Sequence, residues 1–309
     1  MAWRRPPVLF TWFTSIIQWL CGNNKDKSST NLESGENAPP FVGVLSPDNL
    51  SQELESKKEE LQTSIYTLGA GISNDLMAVG VFAHVYNLGD GRVRKVPAPD
   101  PDNLDLAINS IRREGKIYEH LGNHPRVTRC LAYGDLFVDL EFAPYGHVVD
   151  YLKSHHETSN NCRIRFAQEV IEAVVFIHSK GIIHSDLAAR QFLVDATLHI
   201  HLSDFGFSGF GGGDVLGFEN PSHHLPRDID GSMPSTIQSD LFALGSTLYE
   251  VITGKPPYEG ESDDAITQFY SDRLFPNVTG ILCGHVIIGC WQGSFMTAAE
   301  VLEEFLASN

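Results

Sequence analysis

The chain has 309 residues, 42% of them hydrophobic, and a formal net charge of −17 at pH 7. This size and hydrophobic content indicate a folded protein of one large domain or two modest ones. The negative charge argues against a nucleic-acid partner, because the protein surface would repel phosphates. The five cysteines are odd in number and include no C-x-x-C pair. They favour free thiols in a reducing compartment over disulfides or a zinc site, so we expect a cytoplasmic protein.

An uncharged hydrophobic run, "VLFTWFTSIIQWLC", fills residues 8–21 of the N-terminal segment 1–22. It is shorter than the roughly 20 residues that a membrane-spanning helix needs. Its apolar residues share one helical face beside Trp12 and Trp19, which is typical of an interfacial helix in peripheral contact with a membrane. A secretory signal and a helix packed on the following domain are the alternatives.

Residues 23–63 are largely polar and bury too little apolar surface to order themselves, so they are predicted to be a linker. The globular part is predicted to be 64–309, without internal repeats. In its first half, "GVFAHVYNL" (80–88) and "GRVRKVP" (91–97) predict two strands joined by a turn at 89–91.

The later part of this domain is helical. Helices are expected at about 103–121, 163–179 and 239–253, where apolar residues recur at helical spacing, and "DLFVDLEF" (135–142) alternates like a strand. Strands followed by helices predict an α+β fold with a β-rich N-lobe and a helical C-lobe.

One carboxylate interrupts the apolar stripe of the helix at 103–121. Glu114 stands in line with Ile111 and Tyr118 on the face expected to be buried. A buried charge needs a partner, and Lys95 at the end of the preceding strand is the candidate. The alternative is a glutamate that reaches water at the edge of the helix.

Two aspartates sit at the edges of apolar runs, Asp186 in "HSDLAARQ" (184–191) and Asp204 in "SDFGF" (203–207). Either could cap an adjacent turn. However, "HSDLAARQ" strongly resembles the catalytic loop of protein kinases in its tyrosine-kinase-like form. Asp204-Phe205-Gly206 resembles the metal-binding motif that follows this loop in the family.

Further motifs appear in the family's order. "SDLFALGSTLYEVITGKPPYEG" (239–260) resembles the kinase helix that starts at a structural aspartate, here Asp240. Cys290-Trp291 and "TAAEVLEEFL" (297–306) resemble the last helices. The resemblance to a eukaryotic-type protein kinase domain covers about residues 68–306. It implies a bilobal fold with an N-lobe at 64–140, a hinge at 141–146 and a C-lobe at 147–309.

The resemblance also implies the roles of the catalytic residues. Lys95 would hold the α- and β-phosphates of ATP, and Glu114 would orient Lys95. Asp186 would accept the proton of the attacking hydroxyl, and Arg190 would lie near the transferred phosphate. Asp204 and Gln191 would bind Mg²⁺. The remaining ATP-binding residues implied by the family are Ala78, Gly80, Ala83, Val85, Leu140, Glu141 and Ala143.

The chain departs from the family pattern at several positions. Of the glycines that cover the phosphates, only Gly80 remains in "AVGVFAHVY" (78–86), so this stretch could also be an ordinary strand and turn. "LGAGIS" (68–73) contains G-x-G but lies too far upstream. Gln191 replaces asparagine, and Ser185 replaces the arginine that pairs with a phosphorylated activation segment.

The last departure concerns an ion pair. Arg227 follows Pro226 where the family has the glutamate of Ala-Pro-Glu, and Phe295 stands in place of its arginine partner. Both partners of that pair are therefore expected to be absent together, which can be nearly neutral.

Three functions remain open at this stage. The first is an ATP- and Mg²⁺-dependent protein kinase acting on a protein hydroxyl, with Ser/Thr favoured over Tyr although Ala188 and Arg190 lean towards the tyrosine type. The second is a pseudokinase that acts as a nucleotide-binding scaffold, and the third is a small-molecule phosphotransferase. The identity of the protein substrate and the oligomeric state cannot be derived from the sequence.

Overall fold

The chain divides into two compact units, Met1–Leu61 and Gln62–Asn309. The computed structural model describes residues 76–100, 102–210, 217, 219–227 and 235–308, together with positions 56, 59–61, 63–65 and 67. The predicted segment 1–22, most of the linker 23–63 and the "LGAGIS" stretch lie outside the described residues. Within the described part, no helix combines the length and the apolar character needed to cross a membrane.

The first lobe is an antiparallel sheet with one helix. In the described part of the chain its sheet has five strands in the order β1-β2-β3-β5-β4. The strands are β1 (Leu76–Val79), β2 (Ala83–Gly89), β3 (Arg92–Pro97), β4 (Cys130–Gly134) and β5 (Phe137–Glu141). The helix α1 (Leu104–Leu121) connects β3 to β4 and packs its apolar face on the sheet.

The predicted hairpin of β2 and β3 is present, with glycines at positive φ where the chain turns. Gly89 and Gly91 have φ of 87° and 80°, which side-chain-bearing residues rarely adopt. The start of β2 differs from the expectation of a strand at residue 80. The N–H of Gly80 donates to the carbonyl of Ala83 at 2.8 Å, so residues 80–82 form a tight turn between β1 and β2 instead.

The second lobe is mainly helical. Its helices are α2 (Val148–Ser154), α3 (Asn160–Ser179), α4 (Ile237–Thr253), α5 (Asp263–Ser271), α6 (Gly284–Gln292) and α7 (Ala298–Ser308). Short strands β6 (Ile182–Ile183), β7 (Phe192–Val194), β8 (Ile200–Leu202) and β9 (Gly209–Phe210) form two small hairpin-like sheets, β6 with β9 and β7 with β8. One-turn 3₁₀ helices lie at Ala189–Gln191 and Pro221–His223.

Helix α3 begins three residues earlier than its apolar periodicity predicted. The side chain of Ser159 accepts a hydrogen bond from the N–H of Cys162 and caps the helix. The first turn is polar and exposed, so the apolar stripe from Ile164 onwards did not reveal it.

Helix α4 is the buried axis of the second lobe. Thr236 and Ser239 form a capping box at its start, and Gly254 ends it at a φ of 79°. Between these ends most of its side chains are buried, packed against α3 and α6. The predicted end at Gly254 is confirmed, and the helix begins two residues before the predicted start.

The contact between α4 and α6 requires a glycine. A Cβ atom added to Gly245 would lie 2.8 Å from Cβ of Cys290 and 3.1 Å from the carbonyl oxygen of Ile287. Neither neighbour is the free end of a flexible side chain, so the two helices would have to separate.

We therefore expect Gly245→Ala to destabilise the domain by about 1–3 kcal/mol through overpacking. Urea unfolding of the purified full chain, followed by circular dichroism, measures this change. Glu303→Ala on the exposed face of α7 is the control and should stay within about 0.5 kcal/mol of wild type. An unchanged unfolding midpoint for Gly245→Ala would contradict the close approach of the two helices.

Candidate active site

A row of residues crosses the sheet on the face that carries Lys95. The strand register pairs Ala78 with Val85, Val85 with Lys95, and Lys95 with Val138. Directly paired residues of an antiparallel sheet point to the same face. Of the residues expected to contact ATP, Val85 is therefore the direct neighbour of the lysine, and Ala78 lies one strand further along the same row.

Lys95 joins the two lobes. Its Nζ lies 2.7 Å from a carboxylate oxygen of Glu114 on α1 and 2.5 Å from one of Asp204 in the second lobe. Glu114 is fully buried, and Lys95 is nearly so. The pairing expected from the apolar stripe of α1 is thus present, and the alternative of a solvent-exposed Glu114 is excluded.

The charges of this triad support one another. Burial opposes the charged form of Lys95, but the nearby carboxylates of Asp204 and Glu114 outweigh burial and raise the pKa of Lys95 above its ordinary value. Burial likewise opposes ionisation of Asp204, and the ammonium of Lys95 outweighs it and lowers the pKa of Asp204. The side chain of Asp204 is still 46% exposed, so an ionised carboxylate faces the space between the lobes.

The backbone around Asp204 is shaped by its neighbours. Asp204 has a φ of 65°, uncommon for a residue with a side chain. Phe205 is fully buried and packs edge-on against Tyr118 of α1, with ring centroids 5.1 Å apart. A Cβ atom on Gly206 would overlap the hydroxyl of Ser110 on α1, so a side chain at position 206 would require that hydroxyl to rotate away.

The loop that carries Asp186 is hydrogen-bonded to a buried carboxylate. Asp240 of α4 accepts the backbone N–H of His184 at 2.8 Å and that of Ser185 at 3.0 Å, and His178 lies 2.9 Å from the same carboxylate. Ser185 has a φ of 68° and is held in this conformation by the bond from its N–H. Burial opposes ionisation of Asp240, but the donors from His178 and His184 outweigh it and lower its pKa.

Asp186 is bound by two residues of its own loop. The guanidinium of Arg190 forms an ion pair with one carboxylate oxygen, and Nε2 of Gln191 donates to the other at 2.5 Å. Burial raises the pKa of Asp186 above its ordinary value, with Arg190 opposing the rise. The carboxylate is therefore fixed in orientation, and its pKa is shifted towards the pH range in which it can accept a proton.

The donor set on this side of the space between the lobes suits magnesium. Asp204 would supply a carboxylate, and Gln191, whose nitrogen donates to Asp186, would supply an amide oxygen. Both are hard oxygen ligands, the type that Mg²⁺ prefers. No cluster of three or more histidine, cysteine and acidic ligands occurs in the described part of the chain. A metal held by one or two protein groups together with phosphates remains compatible with the site.

The remaining predicted ATP residues lie on β1, β2 and β5 and in the connections that follow β1 and β5. Ala78 lies on β1, Gly80 lies in the following turn and Ala83 begins β2. Leu140 is buried near the end of β5, and Glu141 closes that strand. Ala143 follows in the connection between the lobes and accepts the N–H of Gly146 at 3.1 Å.

The segment after Asp204 has an ion pair that the sequence did not predict. Arg227 donates to Glu219 at 2.6 Å, and both side chains are buried. These residues are not the two positions of the family's pair, which are occupied here by Arg227 and Phe295. Arg227 is nevertheless paired with Glu219, eight residues before it in the same segment. The family's own pair joins positions much further apart in sequence and did not suggest this partner.

Glu250 is a functional candidate that sequence reasoning missed. This residue of α4 accepts the N–H of Ala189, next to Arg190, at 3.2 Å, and lies 3.5 Å from Nε2 of the buried His223. In the sequence of α4, Asp240 and Glu250 are the two charged residues, and the others are apolar or uncharged. A charged residue in such a helix was the sequence signal that could have identified Glu250.

Comparison with known proteins agrees with this geometry. The model of the protein kinase domain family matches residues 92–286. The probable serine/threonine-protein kinase PknB of Lactococcus lactis is 28% identical over 216 residues, which cover 65% of this chain and 34% of that protein. Serine/threonine-protein kinase SIK2 of Gallus gallus is 32% identical over 177 residues, 55% of this chain and 21% of that protein. The chain thus spans about a third and about a fifth of the lengths of these relatives.

The role of Asp240 gives a prediction that does not depend on catalysis. Asp240→Ala strands two buried backbone N–H groups and should cost about 2–5 kcal/mol of stability at pH 7, whereas Asp240→Asn keeps one acceptor and should cost less. Because the folded pKa of Asp240 is lowered, its contribution is complete above the unfolded value of about 4 and is lost as the pH falls further.

Urea unfolding across pH 3–7 therefore provides the measurement, and the gap between wild type and Asp240→Asn should narrow at the acid end. Asp135→Ala, whose side chain is 80% exposed, serves as the matched control. If the difference in unfolding free energy between wild type and Asp240→Asn does not change with pH, Asp240 does not stabilise the loop as an ionised carboxylate.

Proposed function

Because the chain belongs to the protein kinase domain family, we propose that it is a catalytically active protein kinase that transfers the γ-phosphoryl group of ATP to a serine or threonine hydroxyl of a protein. The observation that carries this proposal is the placement of Lys95 within hydrogen-bond distance of both Glu114 and Asp204. An ammonium ion between two carboxylates from separate lobes is the arrangement that phosphoryl transfer needs to hold nucleotide phosphates and a metal together.

Phosphoryl transfer depends on alignment and charge neutralisation more than on covalent chemistry. Glu114 fixes the position of the Lys95 ammonium, which is able to contact the α- and β-phosphates of ATP. Mg²⁺, when bound by Asp204 and Gln191, neutralises phosphate charge. Leu140, Glu141 and Ala143, at the connection between the lobes, would hold the adenine ring.

Asp186 handles the proton of the acceptor. It orients the substrate hydroxyl and accepts its proton as the oxygen attacks phosphorus. Arg190 is paired with the same carboxylate, so its charge lies close enough to stabilise the transferred phosphate. Glu250 holds the N–H of Ala189 and thereby keeps this part of the loop in place.

The relatives and the catalytic loop point to different types of acceptor. The names of both relatives specify serine/threonine kinases. Against this, Ala188 occupies the position of the lysine usual in that group, and Arg190 resembles the tyrosine type. Phosphoamino-acid analysis of the autophosphorylated chain distinguishes the two, and phosphotyrosine as the main product would reverse this part of the proposal.

A specific contact supports the pseudokinase as the second candidate. Gln191 is longer than the asparagine of the family, and its nitrogen is engaged with the Asp186 carboxylate. If that contact also displaces its oxygen from the metal, the site would bind nucleotide without transferring phosphate efficiently, since Mg²⁺ tolerates poor octahedral geometry badly.

The decisive assay compares the full chain with Asp186→Ala. With ATP and either Mg²⁺ or Mn²⁺, transfer of labelled phosphate to the chain itself or to a general protein acceptor should fall about 10²–10⁴-fold in the variant, the range typical for a lost acid–base group. Asp150→Ala, an exposed aspartate of α2, should leave transfer unchanged.

The outcomes separate the three candidate functions. Nucleotide binding without transfer in the wild-type chain would establish the pseudokinase. Transfer to small hydroxyl compounds with none to protein would establish a small-molecule phosphotransferase. If wild type and Asp186→Ala transfer phosphate at the same rate, Asp186 is not the residue that accepts the proton.

Replacement of Gln191 tests the metal site. Gln191→Asn restores the shorter amide and should raise Mg²⁺-dependent transfer by ~10-fold, since misplacing groups around a metal typically costs at least this factor. The gain should be smaller with Mn²⁺ if geometry is the cause. Gln191→Ala is the matched control and should lose activity with both metals, and a loss of the same size in Gln191→Asn would disprove the assignment of residue 191 to the metal.

A further inference from the structure

The end of α1 and the connection that follows it lie along helix α3 of the second lobe. Nε2 of His120 is 2.9 Å from the carbonyl oxygen of Lys180, the residue that ends α3. The ring of His124 is stacked on that of Phe176, with centroids 3.7 Å apart and 4° between the planes. The helix that carries Glu114 is therefore in contact with the second lobe in its last turn and just beyond it.

Arg126 adds an ionic contact to the same helix. Its Nε donates to a carboxylate oxygen of Glu172 at 2.7 Å, and its Nη1 lies 3.1 Å from one of Glu169. The side chain of Glu169 is only 2% exposed, and that of Arg126 is 19% exposed. Glu169 also accepts the N–H of Ile200 at 3.0 Å and lies 2.5 Å from Nδ1 of His199. One buried carboxylate thus joins α3, β8 and the connection between α1 and β4.

The contacted positions of α3 share one helical face. Positions 169, 172, 176 and 180 follow one another at intervals of three, four and four residues, the spacing that places residues above one another on a helix. Their partners 126, 124 and 120 come in the reverse order, so the end of α1 and its connection run antiparallel to α3. The two segments are matched at successive turns and not at a single point.

Backbone pairing and two cavities complete the surroundings of this connection. The N–H of Leu202 on β8 donates to the carbonyl of Arg126, and the N–H of Thr128 donates to the carbonyl of Leu202, both at 2.9 Å. Cavities of about 380 and 580 Å³ are lined in part by residues of the segment 123–129. Where a segment borders a cavity, close packing restrains it less, so its position depends more on specific polar contacts.

We infer that Arg126 is a positioning residue of the phosphoryl-transfer site. By fixing the connection after α1 on α3, it sets the position of Glu114, and through Glu114 that of the Lys95 ammonium relative to the nucleotide phosphates. This inference rests on the proposed function. Arg126 acts without touching the nucleotide, and the 169–180 face of α3 is the support on which α1 is seated.

Binding of Mg²⁺·ADP and of adenosine to the full chain, measured by isothermal titration calorimetry, tests this role. Arg126→Gln should weaken Mg²⁺·ADP binding by roughly tenfold, because a displaced Lys95 loses much of a charge-assisted hydrogen bond to phosphate. Adenosine has no phosphates for Lys95 to hold, so its affinity should change by less than about twofold. A purely structural role of Arg126 would weaken the binding of both ligands alike.

Three further variants assign the effect to the contact with α3. Arg129→Gln, at an exposed position of the same segment, is the matched control and should bind both ligands as wild type does. Arg126→Lys keeps the charge without the planar guanidinium and should recover part of the Mg²⁺·ADP affinity. In a Glu114→Gln background, Arg126→Gln should add little further loss, because both substitutions act through Lys95.

Two measurements guard against misfolding and against effects of the ligand. Thermal melting shows whether Arg126→Gln is folded. If it is not, Glu172→Gln takes its place, since that carboxylate is 28% exposed, and the same selective loss should appear at about twofold. Hydrogen exchange of the nucleotide-free chain should be faster at the amides of Thr128 and Leu202 in Arg126→Gln and unchanged in Arg129→Gln.

The possible results separate this inference from the proposed function. A wild-type chain that does not bind Mg²⁺·ADP overturns the proposed function and the inference together. If wild type binds both ligands, equal losses for the two in Arg126→Gln, or an unchanged affinity for Mg²⁺·ADP, overturn the inference alone. Additive losses in the Glu114→Gln background, or unchanged exchange at Thr128 and Leu202, also overturn it.

Discussion

The arrangement of the two lobes depends on the ion pairs that the ammonium group of Lys95 forms with two carboxylates. The ammonium reaches one carboxylate on α1 and another in the second lobe, at 2.7 and 2.5 Å. A buried lysine without partners would be costly, and so would a buried Glu114, so each charge is tolerated because the other is present. The same requirement fixes the position of α1 over the sheet and of Asp204 beneath it. A site of high charge density is therefore also a structural restraint between lobes.

The second restraint lies on α4 and acts on backbone rather than side chains. Asp240 holds the N–H groups of His184 and Ser185, and Glu250, almost three turns later, holds that of Ala189. Two carboxylates on one buried helix thus fix both ends of the loop that carries Asp186. Phe205 packs against His184 and Tyr118, which links this loop to α1 of the first lobe. The lobes are consequently joined by apolar contacts as well as by the Lys95 charge.

Much of this could be predicted because the relevant signals are local. Helical periodicity located α1 and α4, the glycine pair at 89 and 91 located the hairpin, and a carboxylate within an apolar stripe pointed to the Lys95–Glu114 pair. The roles of Asp186 and Asp204 came from resemblance rather than periodicity. The missed features are contacts between distant segments. No sequence spacing shows that Glu250 reaches Ala189, that Arg227 turns back to Glu219, or that Phe82 meets Phe207. Such contacts depend on how loops are folded over the lobes.

The departures from the family pattern are easier to understand as compensated pairs than as isolated losses. Where the family's Ala-Pro-Glu glutamate is replaced by Arg227, a buried partner is present in Glu219, so no charge is stranded in the segment. Where alanines replace the family's glycines around the β1–β2 turn, Phe82 of that turn packs against Phe207 of the second lobe. Ser185 replaces an arginine, and its backbone N–H donates a hydrogen bond to the carboxylate of Asp240. In each case the side chain differs from the family pattern, and the structure shows a contact made by the residue that replaces it or by its neighbours.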